Sequence, residues 1–244
     1  MGESRAKRFI DAYNSIDDSL RKQYNVKRSL SFTDLLKRTS ICNSIVKRYE
    51  DDLVDYSRLR NAIVHGNDDS KPIAEPNIEV VEDIERIAQL IKKPPQALKK
   101  IWSGDVLTIP PSLSIKDTIC KIAKSGYSNI PVYDGNEFIG IANGQKILDA
   151  LGNAISSGFD ANEFITNNTV LDILKSTSFE NYYIIASPEI NVREVLDCFN
   201  DNRKLLVILA TKDGTSNTLP VGIITPSNLV EINQLLDDYD EWRK

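Results

Sequence analysis

Apolar residues recur at three- and four-residue spacing through roughly the first 95 positions, and as short alternating or continuous runs after that. The first period is that of a helix buried along one face; the second is that of short strands. Phe9, Tyr13, Ile16, Leu20 and Tyr24 mark a first helix. Ser31 followed by Asp34 is an N-terminal capping arrangement, and Phe32, Leu35 and Leu36 begin a second helix behind it. A long third stripe runs Cys42, Ile45, Tyr49, Leu53, Tyr56, Leu59 and Ile63 and ends at His65-Gly66. A polar loop from Asn67 to Pro76 leads to a fourth helix carrying Val80, Ile84, Ile87 and Ile91. Pro94-Pro95 stops it, because proline cannot continue a helix and disfavours helix just before itself. The expectation is a four-helix bundle over residues 1–95.

From about 100 to 240 the pattern is a duplication. In the first copy, Val106 to Ile109 reads as a strand before Pro110-Pro111, and Ser114 caps a helix carrying Ile115, Ile119 and Ile122. Asn129 to Tyr133 is a strand, Asp134-Gly135-Asn136 a hairpin turn and Phe138 to Ala142 its partner, with a helix following through Ile147, Leu148 and Leu151. In the second copy, Tyr182 to Ile185 is a strand, Val192, Val195, Leu196 and Phe199 lie on a helix, and Leu205 to Leu209 is a strand. A polar turn, Lys212 to Thr218, leads to a strand at Pro220 to Thr225 and a helix from Ser227 to Leu236. The order strand, helix, strand, strand, helix therefore occurs at about 100–152 and again at about 178–240. The fold class is α+β: an all-α helical bundle followed by a tandem α/β pair.

Composition narrows the function. Hydrophobic residues are 41% and charged residues 27%, ordinary for a globular protein, and the net charge of −5 argues against a broad nucleic-acid surface while leaving room for a local basic cleft. Cys42, Cys120 and Cys198 stand far apart and read as buried thiols in a reducing compartment. With one histidine and no paired cysteines, a metal site is not expected. No apolar run approaches a membrane span and the first residues lack a signal-peptide core, so a cytoplasmic protein is expected.

The chemistry concentrates in Arg60-Asn61-Ala62-Ile63-Val64-His65-Gly66, which holds the chain's one histidine. Residues four apart share a helix face, so Asn61 and His65 lie on one stripe, and the long stem of Arg60 can reach it. A fixed cation, an amide and a base titrating near neutrality suit a phosphodiester. An ordinary helix end, with His65 near the last carbonyls and Gly66 as the cap, is the plain alternative. The Arg-Asn-x-x-x-His pattern closing a long helix resembles the signature of HEPN domains. That resemblance implies a homodimer whose paired motifs line one cleft, and a metal-independent endoribonuclease. His65 would act as general base or acid, Arg60 would stabilise charge on phosphorus and Asn61 would orient them. Non-catalytic members imply a different role, dimerisation or holding a protein partner; a role beside a nucleotidyltransferase is a third.

The duplicated half, with proline after the first strand and a Gly-apolar-apolar-Thr turn before the last helix, resembles a tandem pair of CBS domains. The resemblance implies adenine nucleotide (AMP, ADP or ATP) as a regulatory ligand. In the family's Gly-apolar-apolar-Thr/Ser-x-x-Asp motif the hydroxyl meets phosphate and the carboxylate meets ribose. The second copy reads Gly222-Ile223-Ile224-Thr225-Pro226-Ser227-Asn228, with Asn228 in the place of the aspartate. The first reads Gly140-Ile141-Ala142-Asn143-Gly144-Gln145-Lys146 and keeps neither Thr nor Asp; Lys146 suits a phosphate better than a ribose. By the same analogy Leu107, Thr108, Ile184 and Ile185 wall the base pockets, and Arg203 and Lys204 reach phosphates. Both glycines also have a plain reading, tight strand–helix packing.

Overall fold

The computed structural model describes residues 3–64, 72, 74–101, 105–176 and 182–237. They divide into two units. The first takes Met1–Gln96, Asn191–Asn200 and Gln234–Lys244; the second takes Ala97–Ile190 and Asp201–Asn233.

The first unit is built on α1 (Arg5–Tyr24), α2 (Phe32–Thr39), α3 (Ser44–Arg48), α4 (Glu50–Val64) and α5 (Ile78–Lys92). Each apolar stripe turns inward: Phe9, Ile16, Leu20, Leu35, Leu36, Leu53, Ile63, Ile84 and Ile87 are fully buried. The Ser31 hydroxyl accepts from the Asp34 amide and caps α2, as its sequence predicts. The third stripe is not one helix. Tyr49 leaves helical geometry at φ −104°, ψ 18° and separates α3 from α4. Neither glycine nor proline marks this break; the cause is tertiary. Tyr49 is buried, its hydroxyl donates to the Leu236 carbonyl (2.7 Å) and its ring lies under the Arg86 guanidinium. The stripe's first member, Cys42, is exposed in the turn before α3. Cys120 is also exposed and Cys198 half-buried, so the expectation of buried thiols is corrected. Cys120 lies on the exposed side of the helix over 115–125, away from buried Ile115 and Thr118.

The second unit opens with α6 (Ala97–Ile101), followed by α7 (Ile115–Ser125), β1 (Asn129–Asp134), β2 (Glu137–Asn143) and α8 (Gly144–Ser156). Next come α9 (Ala161–Asn167) and α10 (Val170–Ser176), two helices between the repeats that the sequence pattern did not announce. The second repeat supplies β3 (Tyr183–Ala186), α11 (Val192–Asp201), β4 (Val207–Thr211), β5 (Pro220–Ile224) and α12 (Leu229–Asp237), of which α11 up to Asn200 and α12 from Gln234 belong to the first unit. β1 and β2 form an antiparallel hairpin closed by a two-residue loop, whose first residue, Gly135, takes φ +58°. β3 pairs parallel with β4, and β4 antiparallel with β5. Tyr133, Phe138 and Ile141 of the hairpin pack against Val207 and Leu209 of the second sheet. Ile130, Val132 and Ala142 join Ile115, Ile147, Val170 and Ile173 in a separate core.

The repeats differ at their first strand. The stretch expected as a strand at Val106 to Ile109 makes one parallel bridge, Ile109 with Val132. The Ile109 amide donates to the Pro131 carbonyl (3.0 Å) and the Tyr133 amide to the Ile109 carbonyl (2.9 Å). The next rung of a parallel ladder needs an N–H from residue 131 to the Leu107 carbonyl, and proline has none. In the second repeat the equivalent position is Leu209, and the ladder runs from Tyr183 to Ala186.

Candidate functional site

The element ends just described enclose a cleft of about 230 Å³ inside the second unit. One wall is the interrupted strand, Val106 and Leu107; another is the turn from Gly126 to Asn129 with Pro131; the third is the end of β5, Ile223 to Asn228. Because Pro131 has no N–H to give, the Leu107 carbonyl is left without its ladder partner at this wall.

The opposite wall is a locked turn. The Thr225 amide donates to Asn228 Oδ1 (2.9 Å), the Thr225 hydroxyl lies 3.2 Å from the same oxygen and 2.7 Å from the Ser227 hydroxyl, and Asn228 Nδ2 donates to Glu231 (3.3 Å). Thr225, Asn228 and Leu107 share one cleft. Gly222 is there for packing: a Cβ on it would fall 2.6 Å from Cδ2 of Leu98 on α6. Gly140 has the same role toward Leu174 on α10, at 3.0 Å.

The other predicted residues lie elsewhere. Thr108 follows Leu107 but does not line the cleft. Ile184 and Ile185 are half-buried in β3, where Ile185 packs against the inter-sheet core. Arg203 and Lys204 are exposed in the turn after α11. Lys146 sits 3.9 Å from Asp149 and 5.5 Å from the Tyr182 ring centre, beside a larger cleft of about 800 Å³ between α8, α9 and α10. At the first-copy position matching Thr225, Asn143 caps α8 through the Lys146 amide (2.9 Å) and donates to Asn129 Oδ1 (2.7 Å). Sequence reasoning missed the contribution of Ser128, Asn129 and Pro131; the signal for it was the proline inside a strand.

In the first unit, Arg60 is half-buried near the end of α4, and its Nε is buried without a hydrogen-bond partner among the described residues. Its Nη1 lies 3.4 Å from Asn61 Oδ1, and Asn61 is exposed. Burial pushes the Tyr13 phenol up, and the charge of Arg60 pulls it the other way. His65 lies outside the described residues. Most other described arginines of the unit are paired, among them Arg8 with Glu85, Arg21 with Asp17, Arg28 with Asp18, Arg48 with Asp237, Arg58 with Asp55, Arg86 with Asp83 and Arg193 with Asp197.

Residues 101–153 match the family model of the CBS domain. The chain contains a CBS domain. The match spans the first repeat: Ile109, α7, the β1–β2 hairpin and most of α8. No curated protein matches the chain. Among solved structures, the CBS domain of a CBS domain containing membrane protein from Sphaerobacter thermophilus is 19% identical, covering 63% of this chain and 97% of that one at a TM-score of 0.48. CBSX2 in complex with AMP is 16% identical, covering 59% and 99% at 0.45. The CBS domain of the bacterial CNNM/CorC family Mg2+ transporter in complex with ATP is 18% identical, covering 64% and 95% at 0.43. No described helix is long and apolar enough to cross a membrane.

Proposed function

We propose that this chain is a regulatory protein that senses an adenine nucleotide or nucleoside through its CBS domain and the repeat that follows it. The observation that carries the reading is the cleft itself. An unclaimed backbone acceptor at Leu107 suits the exocyclic amine of adenine, Pro131 and Ile223 suit the flat faces of the base, and Thr225 and Asn228 suit ribose hydroxyls. The helical domain, residues 1–95, carries the output, and the HEPN-like motif names it: metal-independent cleavage of RNA by a homodimer. Arg60 supports this, being a half-buried cation with no carboxylate partner among the described residues, as a phosphate-binding arginine needs. Asn61 lies beside it, and His65 would move the proton of the 2′-hydroxyl. A 2′-hydroxyl nucleophile predicts that RNA is cut and DNA is not.

The test is cleavage of labelled RNA in EDTA by wild type, His65→Ala and Arg60→Ala, with and without adenosine and adenine nucleotides. Cleavage lost in both variants and altered by one of these ligands in wild type is the expected result. The net charge of −5 favours a second reading, a non-catalytic sensor whose helical domain binds a protein partner. Absent cleavage with retained nucleotide binding selects it.

A further inference from the structure

The polar residues that line the cleft are Tyr127, Ser128, Thr225 and Ser227, which carry hydroxyls, Asn129 and Asn228, which carry amides, and Asp105, which carries a carboxylate. Among the described residues, no lysine or arginine lines it. Of the cations the sequence offers for phosphate, Lys146 borders the other cleft, and Arg203 and Lys204 stand exposed in the turn after α11. Lys124, two residues before Gly126, is exposed on the last turn of α7 and is not part of the lining.

Backbone donors do not replace them. At 225–228, where a phosphate would rest on N–H groups, the Thr225 amide is spent on Asn228 Oδ1 and the Asn228 amide on the Thr225 carbonyl. Pro226 has no N–H, which leaves the Ser227 amide alone. The Glu231 carboxylate, held by Asn228 Nδ2, adds negative charge beside the same turn. The volume, about 230 Å³, lies below the ~300–1,000 Å³ usual for drug-sized ligands.

We propose that this cleft selects the uncharged adenine nucleoside and discriminates against its 5′-phosphates, increasingly as phosphates are added. The inference rests on the reading of this cleft as an adenine site. A nucleoside satisfies the amide and hydroxyl groups and brings no charge, whereas a triphosphate meets Asp105 with no cation to offset it.

The experiment is calorimetric titration of the full chain with adenosine, AMP and ATP, the last with and without Mg2+. Only binding that Thr225→Ala or Asn228→Ala weakens is assigned to this cleft. Adenosine is expected to bind at least tenfold more tightly than ATP, with AMP between them, and exposed Asp105→Asn is expected to narrow that gap at least threefold. ATP binding as tightly as adenosine, or a gap untouched by Asp105→Asn, overturns the selectivity while the adenine site stands. Binding of none of the three at this cleft overturns the adenine site and the selectivity together.

Discussion

Tyr133 is 4% exposed, and its hydroxyl has no partner among the described residues. Burial alone pushes the phenol up to about 12. The folded chain therefore favours the neutral form, while the unfolded chain titrates near 10. The stability tied to this neutrality is complete below pH ~10 and is lost as pH rises from there toward 12. Tyr133→Phe keeps the edge-on contact with Phe138 (centroids 5.5 Å apart) and removes an unbonded hydroxyl. It should leave the protein equally stable or up to ~1 kcal/mol more stable near neutrality, and should lessen the loss above pH ~10. Urea unfolding in the two pH ranges measures both. Pro131 acts by what it lacks. Its residue type, and so its missing donor, was legible in the sequence; that the missing rung would open beside Thr225 and Asn228 was not, since only pairing of Ile109 with Val132 sets that register.

Elements were most legible where burial is one-sided and caps are local. α1, α2 and, from Ile84 onward, α5 follow their stripes, whereas Ile119 of the α7 stripe is exposed; the Ser31 and Ser114 hydroxyls cap their helices as sequence spacing predicts. The break at Tyr49 was illegible because its cause is Arg86 and Leu236, both remote in sequence. α9 and α10 were missed because each is seven residues long, too short for periodicity to speak. The two motif glycines were visible, yet their neighbours Leu98 and Leu174 come from helices outside the motif. Gly222→Ala drives a methyl to 2.6 Å from Leu98 and should cost about 1–3 kcal/mol, with part recovered in the Gly222→Ala, Leu98→Ala double variant. Chemical denaturation of the three variants reads the coupling; equal costs with and without Leu98 would mean that β5, not α6, bears the strain.

At the scale of the whole molecule, the first unit gathers three separated stretches of chain, with residues 191–200 and 234–237 joining the N-terminal helices. Arg86 is the centre of one such closure. Its Nη1 donates to Tyr49 Oη (2.9 Å) and to the Leu236 carbonyl (2.7 Å), while its other nitrogens hold Asp83, which also takes the Tyr56 hydroxyl (2.6 Å). Asp197 makes a second closure, accepting from the Ser44 amide (2.8 Å) and hydroxyl (2.6 Å). Arg86→Met should cost about 1.5–3 kcal/mol, the range for hydrogen bonds to a charged group, and should loosen the last turn of α12. Hydrogen exchange at 234–237 in wild type and variant checks it; unchanged protection there would place the anchor elsewhere.

The sequence by itself determined most of the helices and strands, the duplication, and the residue types gathered at Arg60-Asn61 and at Thr225–Asn228. These depend on periodicity, caps and turns, interactions among residues close in the chain. Only the tertiary structure decided that Leu107 faces Thr225 and Asn228 while Ile184, Arg203 and Lys146 lie apart, that both motif glycines serve leucines from other helices, and that chain beyond residue 190 completes the first unit. Such pairings are chosen by how buried surfaces fit and by which donors remain unspent, and neither is written in any local stretch of chain.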